Sequence, residues 1–419
     1  MTLSKRSIRL GLTGIVLVIL GLTATFTFRV GYAPDEGSHL RMVEHHSQSM
    51  SLAEPEDWRY GTYRGHAYHL FSPLPYVAYV PFRWIQTHTD VPRNRITRLG
   101  GALFALAQVW ISWRIARHLM GETRSALLAT LAVNLVPQLR YVHAYVNADS
   151  FTIWIGTCAC YLILRLSELS VVRLSTTLWV GVVFAGIAHA KPTCYPLAGA
   201  LLAVYSWRLF VSRPTIRQAL RRVGVVISVP LLLAGPFHLH VYEELGTGEL
   251  SPSTTHSELM LSTSSGVASE ARPPLQDLIK LRARHLPFVW LSSWGWMTGY
   301  DELPKWYLGL LPLLIGLAFF AELKAISYGS TLFLRSARPL LIAALTLVIT
   351  LAILLWQWPL DVQGRLLWPT GIAALFLVID GLARIIQYHR NCSRESALSS
   401  SAFLWAGWLA LGNGLVLFG

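Results

Sequence analysis

Long runs of apolar residues recur along the chain, separated mostly by short polar segments. A run of about 20 apolar residues is what an α-helix needs to cross the hydrocarbon core of a bilayer. The pattern therefore predicts an all-α integral membrane protein with about eleven transmembrane helices. The predicted spans are residues 9–28, 96–116, 124–142, 149–166, 175–190, 193–209, 222–240, 304–323, 338–357, 366–386 and 400–418. The first run lacks a small-x-small cleavage site, so we interpret it as a retained anchor and not a signal peptide.

Two connections are long, residues 29–95 and 241–303, and we treat residues 1–419 as a single polytopic membrane domain. In the first, PDEGSHLRMVEHHSQSM favours a helix lying on the membrane surface. The apolar stretch FSPLPYVAYVPFRWI contains three prolines, which disfavour a straight span and favour interfacial or re-entrant helices. The second connection opens rich in Ser and Thr and ends rich in aromatic residues, and its polar part, residues 246–272, is a candidate lid.

Composition supports a membrane protein, because 53% of residues are hydrophobic and only 14% are charged. The net charge of +13 is typical of nucleic-acid partners, but its distribution excludes them here. More than half of the 35 Lys and Arg residues fall in short segments that are cytoplasmic when the N-terminus is inside. We therefore expect a cytoplasmic N-terminus, an outer C-terminus and both long connections outside. The four cysteines show no metal-type spacing, and we expect no disulfide.

The adjacent acids Asp35 and Glu36 stand where the chain leaves the first span. One interpretation is a helix start, because Pro34 suits the first helical position and carboxylates are favoured in the first turn. The other interpretation is a catalytic pair. The doublet alone does not decide between them.

Further polar residues fall at the predicted outer ends of later spans: Asn147, Asp149, Lys191, Asp361, Gln363 and Arg365. Helix capping is an alternative explanation for Asn147 and Asp149, and snorkelling is one for Lys191. The topology nevertheless brings all these residues to the same membrane face as the doublet. Carboxylates with Lys and Arg at the lipid–water boundary suit a substrate with an anionic head and an apolar tail, since arginine binds phosphate bidentately.

Five motifs in order, PDEGSH, NADSF, KPTCYPL, SSWGWMTGYDELPKWY and DVQGRLLWP, resemble those of a bacterial family of multi-pass membrane proteins. That family is similar to the GT-C superfamily of membrane glycosyltransferases, which includes protein mannosyltransferases and lipid A aminoarabinose transferases. The resemblance covers roughly residues 30–370. Leu366 stands where an aromatic residue is expected, and Gly37 where proline is frequent; neither is a proposed catalytic group.

The resemblance implies an enzyme of the bacterial inner membrane that moves a sugar from a polyprenyl-phosphate donor to a hydroxyl of a glycan, lipid or protein acceptor. Asp35 and Glu36 match the acidic pair of GT-C enzymes, with Asp35 as the base and Glu36 sharing that role or orienting the acceptor. Arg365 and Lys191 would stabilise the departing phosphate. The remaining predicted substrate contacts are His39, Asn147, Asp149, Trp294, Trp296, Tyr300, Asp361 and Gln363. Interfacial anchoring is the alternative for the three aromatic residues.

The candidate metal ligands are the histidines of the first connection: His39, His45, His46, His66 and His69. They show no metal-binding spacing, and GT-C enzymes include both cation-dependent and cation-independent members, so we expect no metal and no cofactor. Two other functions compete with sugar transfer. A transporter or flippase usually carries charges near the midplane, where Asp380 is the main candidate, and internal repeats. A non-catalytic assembly factor with the same fold is the other alternative.

Overall fold

The structure is a computed structural model, and it describes residues 4–25, 35–49, 62–63, 66–67, 72–91, 95–245, 275–294, 304–327, 331–356 and 364–418. These residues form sixteen α-helices, two 3-10 helices and one antiparallel hairpin of two-residue strands. Within the described residues the fold is thus all-α except for the hairpin, as the apolar pattern predicts.

The elements follow one another along the chain with short connections in the central part. The first are α1 (Lys5–Thr25), α2 (Glu36–Gln48), β1 (Thr62–Tyr63), β2 (His66–Ala67), α3 (Leu74–Val77) and α4 (Val80–Thr87). The central ones are α5 (Leu99–Met120), α6 (Thr123–Asn134), α7 (Pro137–His143), α8 (Asp149–Glu168), α9 (Leu174–His189), α10 (Tyr195–Val211) and α11 (Ile216–Leu245). The last are α12 (Leu275–Trp294), α13 (Lys305–Ser327), α14 (Thr331–Trp356), α15 (Trp368–Arg390) and α16 (Arg394–Phe418). The 3-10 helices are Pro192–Cys194, before α10, and Gly364–Leu367, before α15.

Membrane-spanning character is clear for many of these helices. Among the described residues, six helical segments are long and apolar enough to cross a bilayer: α1, α5, α8, α10 with its preceding 3-10 helix, α11 and α15. Each predicted span overlaps a helix or, for the third, two helices among the described residues. The chain is therefore a multi-pass membrane protein, while the number of eleven spans stays a prediction.

The third predicted span, residues 124–142, is not one straight helix. It is divided at Pro137, which opens α7 and is preceded by Val136 in a non-helical conformation (φ −58°, ψ 120°). Proline has no N–H and disfavours helical geometry in the residue before it, so the helix is interrupted here. The Nδ2 of Asn413 in α16 donates to the carbonyl oxygen of Leu135 at 2.6 Å. That hydrogen bond satisfies a carbonyl at the break, as an apolar surrounding requires.

Packing differs sharply between the helices. α15 contacts α8, α13, α14 and α16, and its Ile372, Phe376 and Ile379 are buried. α11 packs against α9 and leaves Leu232 and Leu239 exposed along its length. An exposed apolar helix surface is expected to face lipid in a membrane protein.

The short helices of the first connection lie over one end of the helix bundle. α3 and α4 each carry a proline in their first positions, so the prolines produce two short helices instead of a span. α2 packs against both, α3 contacts α8, and α4 contacts α5. We call the end where α5 and α8 begin the site end, because most of the described candidate residues lie there.

Candidate active site

The carboxylate of Glu36 is held in a buried, bidentate ion pair with Arg98, which directly precedes α5. Arg98 Nε donates to Oε1 at 2.7 Å and Nη2 to Oε2 at 2.6 Å, and the two side chains are 3% or less exposed. The backbone N–H of Val146 also donates to Oε1, at 3.2 Å. Glu36 therefore joins α2, the start of α5 and the loop after α7. Its oxygens already accept three hydrogen bonds, which suits a positioning residue better than a base.

Asp35 flanks α2 and does not belong to it. Its backbone is left-handed (φ 67°), and its carbonyl oxygen accepts the N–H groups of Ser38 and His39 at 3.0 and 3.1 Å. A positive φ is uncommon for residues other than glycine, although aspartate tolerates it better than most. The helix-start interpretation placed Asp35 inside the first turn, whereas the helix begins one residue later. Asp35 is half-buried, and the ion pair of the next residue, Glu36, ties the start of α2 to the start of α5.

Asn147 holds the loop between α7 and α8 in shape. Its Nδ2 donates to the carbonyl oxygens of Val142 and Tyr145 at 2.6 and 2.9 Å. Its Oδ1 accepts the N–H of Ser150, at 2.9 Å, in the first turn of α8. This is the capping role that the sequence offered as an alternative, and contact of Asn147 with a substrate stays a prediction.

Asp149 and Lys191, which the sequence assigned to the same membrane face, are in contact. Lys191 Nζ lies 2.7 Å from Asp149 Oδ1, with the side chains 21% and 5% exposed. The backbone N–H of Lys191 donates to Thr152 Oγ1 at 3.2 Å. The pair thus fastens the start of α8 to the connection between α9 and α10. Their roles toward a substrate stay predictions.

Tyr79 lies close to one carboxylate of each ion pair. Its hydroxyl donates to the carbonyl oxygen of Asn147 at 3.1 Å. Burial raises the pKa of this hydroxyl, and the charges of Asp149 and Glu36 raise it further. Since both carboxylates act on one hydroxyl, the structure brings Glu36 and Asp149 into the same neighbourhood.

Two glycines at the start of α5 allow this close approach. A Cβ on Gly100 would overlap the ring of Tyr79, and a Cβ on Gly101 would overlap the carbonyl oxygen of His143. Any larger residue here would push α5, and with it Arg98, away from the loop that follows α7.

Two histidines make polar contacts with the first connection, His39 from within it and His189 from the bundle. His39 is buried, and its Nδ1 lies 2.7 Å from the hydroxyl of Tyr76. Ser72 Oγ lies 2.7 Å from Nδ1 of His189, at the end of α9. The predicted substrate contact of His39 is untested, but its position beside α3 contributes to the packing at the site end.

Trp294, a predicted sugar contact, is 5% exposed. Its ring packs edge-to-face against Trp368 and Trp405, with centroids 5.4 and 6.1 Å away. The Nε1 of Trp368 donates to the carbonyl oxygen of Ser293 at 2.8 Å. This is the packing of a residue that joins α12, α15 and α16, and a contact with sugar stays a prediction.

Several predicted residues lie outside the described part of the chain: Trp296, Tyr300, Asp361, Gln363 and the stretch 246–272. Only the backbone of Arg365 is described, within the 3-10 helix Gly364–Leu367. That 3-10 helix contacts α7, α12, α14 and α15. Arg365 is therefore carried by an element beside α7, which leads into the Asn147 loop.

The described residues contain no group of three or more His, Cys, Asp or Glu side chains that could hold a metal ion. The four cysteines are free thiols. The expectation that no metal is required stays a prediction.

Sequence reasoning missed three residues that the structure brings forward. Arg98 and Tyr79 bind groups far away in the chain, and no local signal marks them. The third is Arg140 in α7, which is fully buried and whose three guanidinium nitrogens have no hydrogen-bond partner among the described residues. Its signal was readable, because an ionisable residue inside an apolar segment is a functional candidate.

Comparisons with known proteins agree on the fold. The family model described as dolichyl-phosphate-mannose-protein mannosyltransferase matches residues 89–236. No curated protein is significantly similar to the chain in sequence. The crystal structure of ArnT from Cupriavidus metallidurans bound to undecaprenyl phosphate is similar with a TM-score of 0.57 and 15% identity, over 99% of this chain and 77% of that one.

A second similar structure is the oligosaccharyltransferase of Archaeoglobus fulgidus in its apo form. Its TM-score is 0.51 at 13% identity, over 99% of this chain and 56% of that chain, so this protein spans little more than half its length. Identities this low carry the fold and not the activity. The chain therefore has the fold of the GT-C membrane glycosyltransferases.

Proposed function

We propose that the protein transfers a sugar from a polyprenyl-phosphate donor to an acceptor hydroxyl on the outer face of the bacterial cytoplasmic membrane. One observation carries the proposal: the ion pairs Glu36–Arg98 and Asp149–Lys191 meet at the loop between α7 and α8. Such a concentration of fixed charge at one end of an apolar bundle suits a lipid substrate with a charged head. The GT-C fold and the ArnT structure with undecaprenyl phosphate support lipid-linked donors.

The proposed reaction is a single displacement at the anomeric carbon of the sugar. The acceptor oxygen forms a bond to that carbon while the bond between the carbon and the lipid phosphate oxygen breaks. Asp35 takes the proton of the acceptor hydroxyl, and the lipid phosphate leaves with the bonding electrons. We assign this role to Asp35 because Glu36, the other acid of the doublet, already accepts three hydrogen bonds.

Positive charge must balance the departing lipid phosphate. Lys191 is partly exposed beside Asp149 and can approach a headgroup. Arg365 sits on the 3-10 helix Gly364–Leu367, which contacts α7. We expect the acceptor to be an envelope glycan, a glycolipid or a protein. No further cofactor enters the proposed reaction.

The transport alternative depended on charge near the midplane, represented by Asp380. Its carboxylate accepts a hydrogen bond from Arg384 Nη2 at 3.1 Å, and Arg384 Nε donates to Glu322 at 2.9 Å. These contacts explain Asp380 as part of an ion-paired group that joins α13 to α15. Asp380 therefore gives no support to transport, and sugar transfer remains the proposed function.

The test is sugar transfer by the purified full-length protein in lipid nanodiscs. Polyprenyl phosphates carrying labelled mannose, glucose or aminoarabinose are offered with hydroxyl acceptors, and released lipid phosphate is measured. We expect turnover with one donor class, and we expect Asp35→Asn to lower kcat by roughly 10²–10⁴-fold. Asp90→Asn is the matched control, because Asp90 is an exposed carboxylate in the same connection.

Equal rates for Asp35→Asn and the unchanged protein would remove Asp35 as the base. Movement of labelled lipid-linked sugar across a vesicle membrane, without release of lipid phosphate, would replace sugar transfer by transport.

A further inference from the structure

Arg140 is a buried cation for which the described chain supplies no anion. Its side chain is 0% exposed, and Nε, Nη1 and Nη2 all have no hydrogen-bond partner. Five N–H groups in a planar fork are thus held in the interior without acceptors among the described residues. Taking a charge out of water costs several kcal/mol unless a partner compensates it, so such a residue is rarely retained for packing alone.

Other buried polar groups lie on α7 and on the facing helix α5, and no carboxylate of the described residues is paired with Arg140. One turn further along α7, His143 is also fully buried, and its Nε2 lies 2.7 Å from Gln108 Oε1. Polar atoms without partners remain on these residues and on Gln138: His143 Nδ1, Gln108 Nε2 and Gln138 Oε1. α7 and the facing part of α5 therefore carry several buried polar atoms that have no partner among the described residues, and the Arg140 guanidinium is one of these groups.

The position of α7 connects Arg140 with the candidate site. α7 follows the break at Pro137 and runs into the loop that carries Asn147. It contacts α12 and the 3-10 helix Gly364–Leu367, which carries Arg365. Arg140 is therefore carried by the helix that leads to Asn147 and contacts the 3-10 helix of Arg365.

We propose that Arg140 binds the phosphate group of a polyprenyl phosphate. A guanidinium can donate hydrogen bonds to two phosphate oxygens at once. The phosphate would thereby supply the negative charge that the described chain does not offer to Arg140. A phosphate attached to a lipid reaches an apolar surrounding more readily than a free ion, because its tail remains among apolar helices. The proposal rests on the proposed function for the nature of the lipid and on Arg140 alone for the phosphate.

Binding is measured with purified full-length protein in detergent micelles, from the shift in the thermal unfolding midpoint with ligand concentration. The probes are undecaprenyl phosphate, undecaprenol, which lacks the phosphate, and inorganic phosphate. We expect only undecaprenyl phosphate to raise the midpoint. Arg140→Met should weaken its Kd by about 10–100-fold, the loss typical of hydrogen bonds to charged groups. Arg140→Lys should retain part of the affinity.

A second readout separates ligand binding from structure. Without ligand, Arg140→Met should unfold at a higher temperature than the unchanged protein, because it removes an uncompensated buried charge. The matched control is Arg208→Met, whose guanidinium donates to the carbonyl oxygens of Leu166 and Ser167. Arg208→Met should lower the midpoint without changing the Kd.

Three outcomes would overturn the proposal. A lower midpoint for Arg140→Met with Kd unchanged within twofold would make Arg140 a structural residue. Equal stabilisation by undecaprenol and undecaprenyl phosphate would show that only the tail is bound. If inorganic phosphate stabilises the protein as well as the lipid does, and Arg140→Met removes both effects, the site takes free phosphate and the lipid source is wrong.

Failure of phosphate binding by Arg140 and failure of the proposed sugar transfer give different results. Phosphate-dependent binding through Arg140 without sugar transfer would leave the phosphate site in place and remove the transferase activity. Sugar transfer at the normal rate and KM in Arg140→Met would leave the activity and remove the phosphate site.

Discussion

Two buried arginines at neighbouring places in the fold have opposite surroundings. Arg98 is 3% exposed, and two of its guanidinium nitrogens bind the carboxylate of Glu36 at 2.6 and 2.7 Å. Arg140 is fully buried, and none of its three nitrogens has a partner among the described residues. The start of α5 and the end of α7 approach each other closely at Gly101. Both arginines are therefore buried, but only Arg98 is paired with a carboxylate of the described chain.

The comparison shows how a buried charge can be assigned a role. When the chain itself supplies the counter-charge, as for Arg98, removal of one partner leaves the other charge unpaired in the interior, and stability falls. When the described chain supplies none, as for Arg140, the charge lowers the stability of the ligand-free protein. It contributes favourably only when an anionic ligand binds. The two arginines should accordingly respond to the same substitution with opposite signs.

The largest expected effect is that of Arg98→Met. It leaves the buried Glu36 carboxylate without its cation, and we expect the free energy of unfolding to fall by about 3–5 kcal/mol. The measurement is reversible unfolding of the purified protein in mixed micelles. Arg83→Met is the matched control, since Arg83 pairs with the exposed Glu44 and its loss should cost about 0–1 kcal/mol.

A second substitution sharpens this result. Adding Glu36→Gln to Arg98→Met removes the unpaired carboxylate and should recover part of the lost stability. A double variant no more stable than Arg98→Met would mean that Arg98 acts through packing and not through its charge.

The next effect has the opposite sign. Arg140→Met should raise the free energy of unfolding of the ligand-free protein by about 1–4 kcal/mol, because an apolar side chain of similar length replaces an uncompensated charge. The same micelle titration measures it. A loss of stability similar to that of Arg98→Met would erase the contrast between the two arginines.

A smaller loss is expected from Asn413→Leu, which tests the helix break that precedes Arg140. The substitution removes the donor to the Leu135 carbonyl at the α6–α7 junction. An unsatisfied buried carbonyl costs about 1–3 kcal/mol. Hydrogen exchange should also become faster in α7 than in α8. Unchanged exchange in α7 would show that Asn413 does not support the break.

The smallest effect is expected at the opposite end of the bundle, where Glu122 caps α6. Burial raises the pKa of this carboxyl, but hydrogen bonds from Ser125 and Arg124 outweigh it, and the pKa lies below its usual value. Glu122→Ala should cost about 0.5–2 kcal/mol at neutral pH. Since the folded pKa is lowered, this contribution is present above the usual glutamate pKa and is lost as the pH falls through the folded pKa.

Unfolding of both proteins from pH 7 down to pH about 3 measures this prediction. The difference between them should shrink on acidification. A difference that stays constant or grows would show that the ionised carboxylate is not what caps the helix.

Much of the architecture is readable in the sequence, because the bilayer imposes simple rules on it. Apolar runs give the helices, and the prolines of the first connection give short helices where a span would otherwise be expected. The contact of Asp149 with Lys191 follows in part from topology, since both stand at helix ends on one face. Topology alone does not select the partner of each charge, and this is why the pairing had to come from the structure.

The remaining site residues depend on tertiary contacts that periodicity does not encode. Glu36 and Arg98 are 62 residues apart, and neither carries a local sign of the other. Arg140 was overlooked for another reason: the apolar residues around it are enough to mark residues 124–142 as a span, so a single arginine has no weight in that assignment. Attention to the single charge inside the apolar run, just after Pro137, would have found it.

The most direct test of the account is an experimental structure of the full-length protein with undecaprenyl phosphate, determined in nanodiscs. The contrast between the two arginines predicts a phosphate oxygen within about 3 Å of a guanidinium nitrogen of Arg140, with the Glu36–Arg98 pair intact. A phosphate bound elsewhere, with Arg140 still enclosed and without an anion, would contradict it.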